Sequence, residues 1–323
     1  MIDALSFALF VVAMGAVAVA FGGPKTPPPL LSAIEKFKAI DFSALPPLHH
    51  YEAADGERLA YRAYLPAQQP ASGSVVLVHG SSANSSSMHQ LAKGFADAGY
   101  AAFALDIRGH GASGSPGMIA YIGQLEDDLE AFMRRAAPAT PVTLVGFSAG
   151  GGFAIRFAGS GRQNLFHSYL LLSPFLGQDA PTLRPGGGGW VNVGVPRILA
   201  LTALNSLGIR WLNDLPVVRF ALNEEARAVL TPAYSFTLAA NFHPQRDYQT
   251  NIREIHRPCA VVAGIDDDVF YTDRLEPTFR GLGKPWPVTL LPGIGHASLT
   301  MEPSGISAAI RAVQGLQEEA EDS

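Results

Sequence analysis

A serine stands at the centre of a sequence pattern that could form a covalent enzyme intermediate. Ser148 lies within Gly-x-Ser-x-Gly, between a β-branched apolar stretch and a run of small residues that opens a helix. A serine displayed on so tight a strand-to-helix turn needs neighbours without bulk, and Gly146 and Gly150 supply them. The N-terminus of the following helix would point free N–H groups at the same place, so we expect the Ala149 N–H to bind a developing oxyanion.

A serine nucleophile also needs a general base, an acid that orients the base, and a second oxyanion donor. The sequence His79-Gly80-Ser81 directly follows an apolar strand, where the Ser81 N–H would complete an oxyanion hole. The alternative is an ordinary turn with His79 buried and hydrogen-bonded. The presence of the Gly-x-Ser-x-Gly pattern favours the functional interpretation.

Two histidines are candidates for the base. His296 follows the last apolar strand within Gly295-His296, and it is the favoured base. His110 is the alternative, but it lies in a glycine-rich loop with Asp106 and Arg108. We interpret all three as structural residues that hold that loop together by hydrogen bonds.

The acid is expected just beyond a buried strand. Three consecutive aspartates follow the apolar strand 259–264, and the residues alone do not choose among Asp266, Asp267 and Asp268. The two that are not the acid would be solvated loop charges or a helix cap.

Three motifs together resemble the α/β-hydrolase superfamily: His79-Gly80-Ser81, Asp106-Ile107-Arg108-Gly109-His110-Gly111-Ala112-Ser113 and Gly146-Phe147-Ser148-Ala149-Gly150. The resemblance covers roughly residues 50–315 and is closest to the branch of monoacylglycerol lipases, lysophospholipases and serine aminopeptidase-like proteins. It implies an α/β fold with a mostly parallel, doubly wound sheet, helices on both faces and a helical cap insertion. The elbow and loop motifs of proline iminopeptidases are absent, which puts peptidase activity in doubt.

The resemblance also implies roles for further residues. The family's acid usually sits three residues after the glycine of its strand and two before a β-branched residue, and both rules select Asp267, with Asp268 next. The chain order Ser148, Asp267, His296 is the one expected for this fold. Strand-helix alternation breaks over residues 176–256. An insertion at this place is a cap in the superfamily; the alternative is an extra helical layer.

Apolar periodicity locates the elements that would position these residues. Buried strands are predicted at 74–78, 101–105, 142–145, 170–172, 259–264 and 288–291. Helices are predicted at 88–98, 124–136, 196–212 and 305–316, and a hairpin at 51–64. A short amphipathic helix is expected within residues 30–48.

The chain has 323 residues, of which 48% are hydrophobic and 16% charged, with a formal net charge of −5. This length allows one large α/β domain with an insertion, and the composition suggests a large core with some membrane-seeking surface. The negative charge and the lack of a basic cluster argue against nucleic acid as a partner. The single cysteine, Cys259, excludes an intramolecular disulfide and offers no metal-binding pattern. The predicted chemistry requires no metal or organic cofactor.

The apolar run 4–21 is just long enough, at ~1.5 Å per residue, to cross a bilayer core of ~30 Å. An uncleaved membrane anchor is predicted, because a cleaved signal peptide favours a basic start and the only early charge is Asp3. Basic residues follow the run and none precede it, which places the catalytic domain on the cytoplasmic side. The alternatives are a cleaved signal peptide, giving a secreted or periplasmic protein, and a buried core helix.

The predicted organisation is an anchor or signal peptide at 1–22, a linker at 23–48, hydrolase core at 49–175, cap at 176–256, core again at 257–316 and a disordered acidic tail at 317–323. We therefore expect a serine hydrolase of carboxylic esters, acting on a lipid-like substrate such as a monoacylglycerol or lysophospholipid. The alternatives are a peptidase or amidase, an acyltransferase with the same triad, and a non-catalytic membrane-tethered binding protein. No obligate protein partner is indicated.

Overall fold

The protein is built on a large mixed sheet, and its coordinates are a computed structural model that describes residues 4–30, 41–245 and 247–321. The described strands are β1 (Leu48–Glu52), β2 (Arg58–Tyr64), β3 (Ser74–Val78), β4 (Ala101–Leu105), β5 (Val142–Phe147), β6 (Ser168–Leu172), β7 (Val191–Val193), β8 (Pro216–Phe220), β9 (Ala233–Ser235), β10 (Cys259–Gly264) and β11 (Val288–Leu291). The amphipathic helix expected within 30–48 falls mainly on residues 31–40, which lie outside the described residues.

The described helices flank this sheet or belong to its insertion. They are α1 (Ala4–Phe21), α2 (His89–Asp97), α3 (Gln124–Ala136), α4 (Ala149–Ala158), α5 (Val195–Ser206), α6 (Glu224–Arg227), α7 (Phe236–Asn241), α8 (Tyr248–Glu254), α9 (Leu275–Gly281) and α10 (Pro303–Glu321). Helix α5 is shorter than predicted, because the chain turns at Gly208, whose φ of +81° lies in the left-handed region that ends helices.

Eight strands form the main sheet in the order β1-β2-β4-β3-β5-β6-β10-β11. Strand β2 pairs antiparallel with both β1 and β4. The remaining pairs of this sheet, along the order β4-β3-β5-β6-β10-β11, are all parallel. This confirms the predicted mostly parallel sheet. Because the strands β3, β5, β10 and β11 run the same way, the loops after their carboxyl ends meet at one edge.

Alternate residues of each central strand pack against opposite helical layers. On β3, Val76 and Val78 face the cluster that contains helices α3, α4, α8 and α9, whereas Val75 and Leu77 face the cluster that contains α2 and α10. All five residues of β3 are buried, which explains why its sequence is continuously apolar rather than alternating. The sheet is thus covered on both faces, as predicted.

The segment 176–256, here called the insertion, lies between β6 and β10 and contains a second sheet. Strands β7, β8 and β9 pair antiparallel in that order, so the insertion is not only helical. It has a small core of its own around Leu201, Val217 and Phe236. The last helix of the segment, α8, instead joins the main core, where Ile252 is fully buried.

The predicted membrane anchor is wrong. No helix within residues 4–30, 41–245 and 247–321 combines the length and the apolar character needed to cross a bilayer. The end of α1 is instead part of the protein packing: Val19 packs against the core of the insertion, and the Arg197 guanidinium donates hydrogen bonds to the carbonyls of Val19 and Ala20 (2.8 and 3.0 Å). The predicted membrane location, and with it the predicted cytoplasmic side for the catalytic domain, is therefore also wrong.

The acidic C-terminal residues are helical rather than disordered as far as Glu321. Helix α10 buries Val313 and Leu316 against the sheet, and the Tyr100 hydroxyl donates a hydrogen bond to the Gln317 side chain (3.0 Å). Because α10 is already packed up to this point, each further helical residue costs little conformational free energy: propagation fixes only one residue per hydrogen bond formed.

Glycine is required where β10 meets the loop before His296. A methyl group on Gly264 would overlap the backbone carbonyl of Ile294, which also accepts the Asp266 N–H (3.1 Å). We expect Gly264→Ala to lower the free energy of unfolding by about 1–3 kcal/mol, as overpacking does elsewhere. Urea denaturation measures this.

The matched control is Gly315→Ala, because Gly315 lies inside α10 with no atom near its missing side chain. That substitution should raise the free energy of unfolding by roughly 0.5–1 kcal/mol. Equal midpoints for Gly264→Ala and wild type would contradict the packing described.

Candidate active site

Ser148 is displayed on a strained turn between β5 and α4. Its φ of 55° and ψ of −116° are unfavourable for any residue with a side chain. The turn is held from outside, since the Ser148 N–H donates to the Leu172 carbonyl (2.9 Å). A methyl group on Gly146 would overlap the Gly150 carbonyl, and one on Gly150 would overlap the carbonyls that end β3. The lack of bulk predicted at both glycines is therefore a steric requirement.

Ser148 is hydrogen-bonded to His296, and His296 to Asp267. The distance from Ser148 Oγ to His296 Nε2 is 3.0 Å, and that from His296 Nδ1 to Asp267 Oδ2 is 2.8 Å. A carboxylate only accepts, so Nδ1 carries the proton and Nε2 presents its lone pair to the serine hydroxyl. The rings of Phe147 and Phe270 lie 4.8 and 5.1 Å from the imidazole and fix its plane.

Of the three consecutive aspartates, Asp267 is the one that contacts the histidine. Its side chain is buried, whereas Asp266 and Asp268 are exposed. Its second oxygen accepts the N–H groups of Val269 and Phe270, each at 2.8 Å. Burial by itself raises the pKa of Asp267, but His296 and these two N–H groups outweigh burial and hold the pKa below its ordinary value. The acid stays ionised and oriented.

The two predicted oxyanion donors lie beside Ser148. Ser81 and Ala149 both line the same cavity as Ser148 and His296. The Ala149 N–H lies in the first turn of α4, where N–H groups lack a partner within the helix. A methyl group on Gly80 would lie 3.3 Å from the Ser148 Cβ, so the loop after β3 approaches the serine as closely as a glycine permits.

The other predicted loop residues are structural in position. His79 is fully buried; its Nδ1–H donates to the Gly80 carbonyl (2.8 Å), and its Nε2 accepts the Ile107 N–H (3.3 Å), which ties the loops after β3 and β4 together. Asp106 accepts N–H groups from Ser85 (2.7 Å) and Ala112 (2.9 Å). This pattern is the one expected for hydrogen-bonded turns.

Arg108 and His110 are also committed to partners away from the serine. The Arg108 guanidinium binds the buried Asp128 through two bonds of 2.7 and 2.8 Å. His110 is fully enclosed and bonded through both ring nitrogens, to the Tyr234 hydroxyl and to the Ile107 carbonyl. The alternative base His110 is therefore not placed to reach Ser148.

Sequence reasoning missed several residues that hold the site from the insertion. The Trp190 indole N–H donates to the Ser81 hydroxyl (3.1 Å). Arg184 donates to the carbonyls of Asp267 and Phe270, both at 3.0 Å, and stacks over Tyr271. No motif marks these positions. The available signal was chemical: aromatic side chains with a polar tip need a partner once buried.

The serine opens onto a cavity of about 780 Å³ between the sheet edge and the insertion. Its wall is mainly apolar and includes Phe175, Phe220, Leu230 and Phe242. A few polar side chains interrupt the wall, among them Gln178, Asn192 and His243. Burial lowers the pKa of His243 to about 4, so its imidazole is neutral near pH 7.

This arrangement can support nucleophilic attack by a hydroxyl group. A serine hydroxyl that donates to a neutral imidazole can lose its proton as it attacks an electrophilic carbon, and the buried carboxylate stabilises the imidazolium that results. Within residues 4–30, 41–245 and 247–321, no group of three or more His, Cys, Asp or Glu side chains is arranged to hold a metal ion.

Comparison with known proteins agrees with this architecture. A curated monoacylglycerol lipase of Mycolicibacterium smegmatis is 33% identical over 129 residues, which is 39% of this chain and 45% of that protein. The chain thus aligns with less than half the length of this relative.

Two solved structures have the same fold. A soluble variant of monoglyceride lipase from Saccharomyces cerevisiae, in complex with a substrate analogue, has a TM-score of 0.62 at 18% identity, over 87% of this chain and 98% of that one. The monoacylglycerol lipase of Paleococcus ferrophilus has a TM-score of 0.58 at 18% identity, over 82% and 99%.

The family model described as serine aminopeptidase, S33, matches residues 69–304, a range that contains the Gly-x-Ser-x-Gly turn at Ser148, the loops after β3 and β4, and both Asp267 and His296. The chain therefore belongs to this family of the α/β-hydrolase superfamily.

Proposed function

We propose that this protein is a serine hydrolase of carboxylic esters, with Ser148 as nucleophile, His296 as general base and Asp267 as the acid that orients the base. The observation that carries the proposal is the continuous relay of 3.0 and 2.8 Å from Ser148 Oγ through His296 to the buried Asp267, at the floor of an apolar cavity. Membership of a hydrolase family supports the reaction class.

The first half of the reaction forms an acyl-enzyme. Ser148 Oγ attacks the ester carbonyl carbon while its proton passes to His296 Nε2, and the negative charge develops on the carbonyl oxygen. The N–H groups of Ser81 and Ala149 receive that oxygen. The tetrahedral intermediate then collapses, and the departing alcohol takes the proton from His296.

The second half reverses the roles. A water molecule gives a proton to His296 Nε2 as its oxygen attacks the acyl-enzyme carbonyl. The same two N–H groups bind the second oxyanion. Collapse releases the carboxylic acid and returns the proton to Ser148 Oγ. Throughout, Asp267 remains ionised and holds the Nδ1 proton.

The substrate is proposed to be a lipid-like ester such as a monoacylglycerol. An acyl chain gains free energy from an apolar wall, at about 25 cal/mol per Å² removed from water, and the cavity of about 780 Å³ is large enough for a molecule of that kind. Gln178, Asn192 and His243 offer hydrogen bonds to a hydroxylated alcohol. The names of the bacterial, yeast and archaeal lipases support the same class.

The insertion is proposed to act as the cap of this cavity. Trp190, Phe220, Leu230 and Phe242 come from it, while Ser148 and His296 come from the sheet edge. A cover of this kind excludes water from the oxyanion and sizes the acyl site.

Ser148→Ala should abolish hydrolysis of 1-monoacylglycerols and of p-nitrophenyl esters, because it removes the Oγ that His296 Nε2 contacts and that would carry the acyl group. Among p-nitrophenyl esters of increasing acyl length, from acetate upward, the wild-type protein should prefer medium or long acyl chains. Undiminished activity of Ser148→Ala would contradict the proposal, and a preference for acetate would contradict the lipid-like substrate. An amide with the same acyl group, assayed in parallel, should react far more slowly, since its leaving group is poorer.

Asp267→Asn should lower kcat by an amount on the order of 10⁴-fold, because an amide can stabilise the wrong imidazole tautomer. Asp266→Asn is the matched control: it makes the same chemical change one residue away on an exposed side chain, and it should leave kcat close to the wild-type value, because the carboxylate that contacts His296 is that of Asp267. Steady-state kinetics on one p-nitrophenyl ester distinguish the two. Equal losses in both variants would show that Asp267 is not the acid.

A further inference from the structure

The chain directly after the second oxyanion donor is bound to the insertion through Ser82. Ser82 is fully buried, and its φ of 68° lies in the left-handed region, where a serine is strained. Its N–H donates to the Tyr234 hydroxyl oxygen (2.5 Å), and its own hydroxyl donates to the Thr231 carbonyl (2.6 Å). Its carbonyl accepts the Thr231 N–H (2.8 Å). The insertion thus satisfies every polar group of this strained residue.

The Tyr234 hydroxyl is itself oriented by His110. Nδ1 of His110 lies 3.1 Å from the Ile107 carbonyl and 3.3 Å from the Arg108 carbonyl, and carbonyls only accept, so Nδ1 carries the proton. Nε2 is then an acceptor for the Tyr234 O–H at 2.6 Å. The phenol oxygen keeps its lone pairs for the Ser82 N–H. Burial, followed by the nearby His79, lowers the pKa of His110 well below its ordinary value, which keeps this direction of donation.

Ser81 lies between two fixed peptides. On one side, the Gly80 carbonyl accepts the His79 Nδ1–H (2.8 Å) and the Ala83 N–H (3.3 Å). On the other side, Ser82 is held as described. The Ser81 N–H has no acceptor among the described residues, and Ser81 lines the cavity beside Ser148. The direction of this N–H therefore depends on both anchors.

We propose that Tyr234 is a positioning residue of the oxyanion hole: its hydroxyl, oriented by His110, fixes Ser82 and so aims the Ser81 N–H at the carbonyl oxygen of the bound ester. The inference rests on the proposed ester hydrolysis at Ser148. Tyr234 acts through Ser81, and the hydrogen bond it aims matters most when full negative charge has developed. His110, a residue of the loop motif after β4, then also has a role: it orients the Tyr234 hydroxyl, which in turn holds Ser82.

The test is Tyr234→Phe, which keeps the ring that lines the cavity and removes only the hydroxyl. We expect kcat on a p-nitrophenyl ester to fall about tenfold with little change in KM, a smaller loss than the 10²- to 10³-fold seen when an oxyanion donor is deleted outright. The inhibition constant of a trifluoromethyl ketone, whose adduct with Ser148 carries an oxyanion, should rise by the same factor. A loss of stability alone would lower the apparent kcat through the fraction of folded enzyme but would leave the inhibition constant of the ketone unchanged.

The matched control is Tyr169→Phe. Tyr169 is a fully buried tyrosine of β6 whose hydroxyl donates to the Gln163 carbonyl (2.8 Å) away from the cavity. The Tyr169→Phe variant loses the same atom and a partly buried hydrogen bond, and it should retain the wild-type kcat and inhibition constant. Equal effects in Tyr169→Phe and Tyr234→Phe would overturn the proposal, as would unchanged values in Tyr234→Phe.

A second variant keeps the test decisive if Tyr234→Phe does not fold. Ser82→Ala removes the bond to the Thr231 carbonyl from the same anchor and should lower kcat and weaken the ketone together, by a smaller factor. Unchanged kcat and inhibition constant in folded Ser82→Ala would then overturn the proposal. A wild-type protein without esterase activity, or one unaffected by Ser148→Ala, would refute the proposed function itself. If instead the wild type is active, Ser148→Ala is inactive and Tyr234→Phe behaves like wild type, then only the role proposed for Tyr234 is refuted.

Discussion

The strained backbone at Ser148 is the constraint on which the rest of the site depends. A residue at φ 55° and ψ −116° is stable only if its surroundings leave it no alternative. Here β5 enters the turn with both neighbours paired, α4 leaves it at once, and Gly146 and Gly150 make room for backbone atoms that no side chain could approach. The result is a hydroxyl that projects from the sheet edge toward the cavity.

Parallel strand direction brings the other groups to the same edge. β3, β5, β10 and β11 all end there, so the loops that carry Ser81, Ser148, Asp267 and His296 converge although they are far apart in the chain. The contact between Gly264 and the Ile294 carbonyl locks the last two of these loops together. The geometry of the relay therefore depends on ordinary sheet packing as much as on the three side chains.

The insertion does more than cover the cavity. Trp190, Thr231 and Tyr234 bind Ser81 and Ser82 in the loop after β3, and Arg184 binds the carbonyl of Asp267 in the loop after β10. Each of these bonds ends on a residue adjacent to, or part of, the proposed machinery. A change in the position of the insertion would thus also move Ser81, Ser82 and Asp267, because buried hydrogen-bonded groups are coupled to one another. Tyr234 belongs to β9 of the three-stranded sheet, so one of these bonds starts from a strand of the insertion.

The sequence by itself indicated the strands of the parallel sheet, several of the helices that cover it, and the candidates Ser148 and His296 with the glycines that flank the serine, because local patterns carry that information. Buried parallel strands read as continuous apolar runs, and a strand-to-helix elbow needs small residues at set spacing. Choosing Asp267 over its two neighbours needed the family resemblance as well, and the tertiary structure alone places it beside His296.

The tertiary structure decided what depends on partners distant in the chain. The apolar run 4–21 reads alike whether it faces lipid or protein, and only the packing of Val19 and the bonds from Arg197 show that its end lies against the insertion. Likewise, nothing local marks Ser82, Tyr234 and His110 as one network, since their hydrogen bonds span up to 152 residues. Local chemistry is legible in a sequence, whereas the partners of buried polar groups are fixed only when the chain has folded around them.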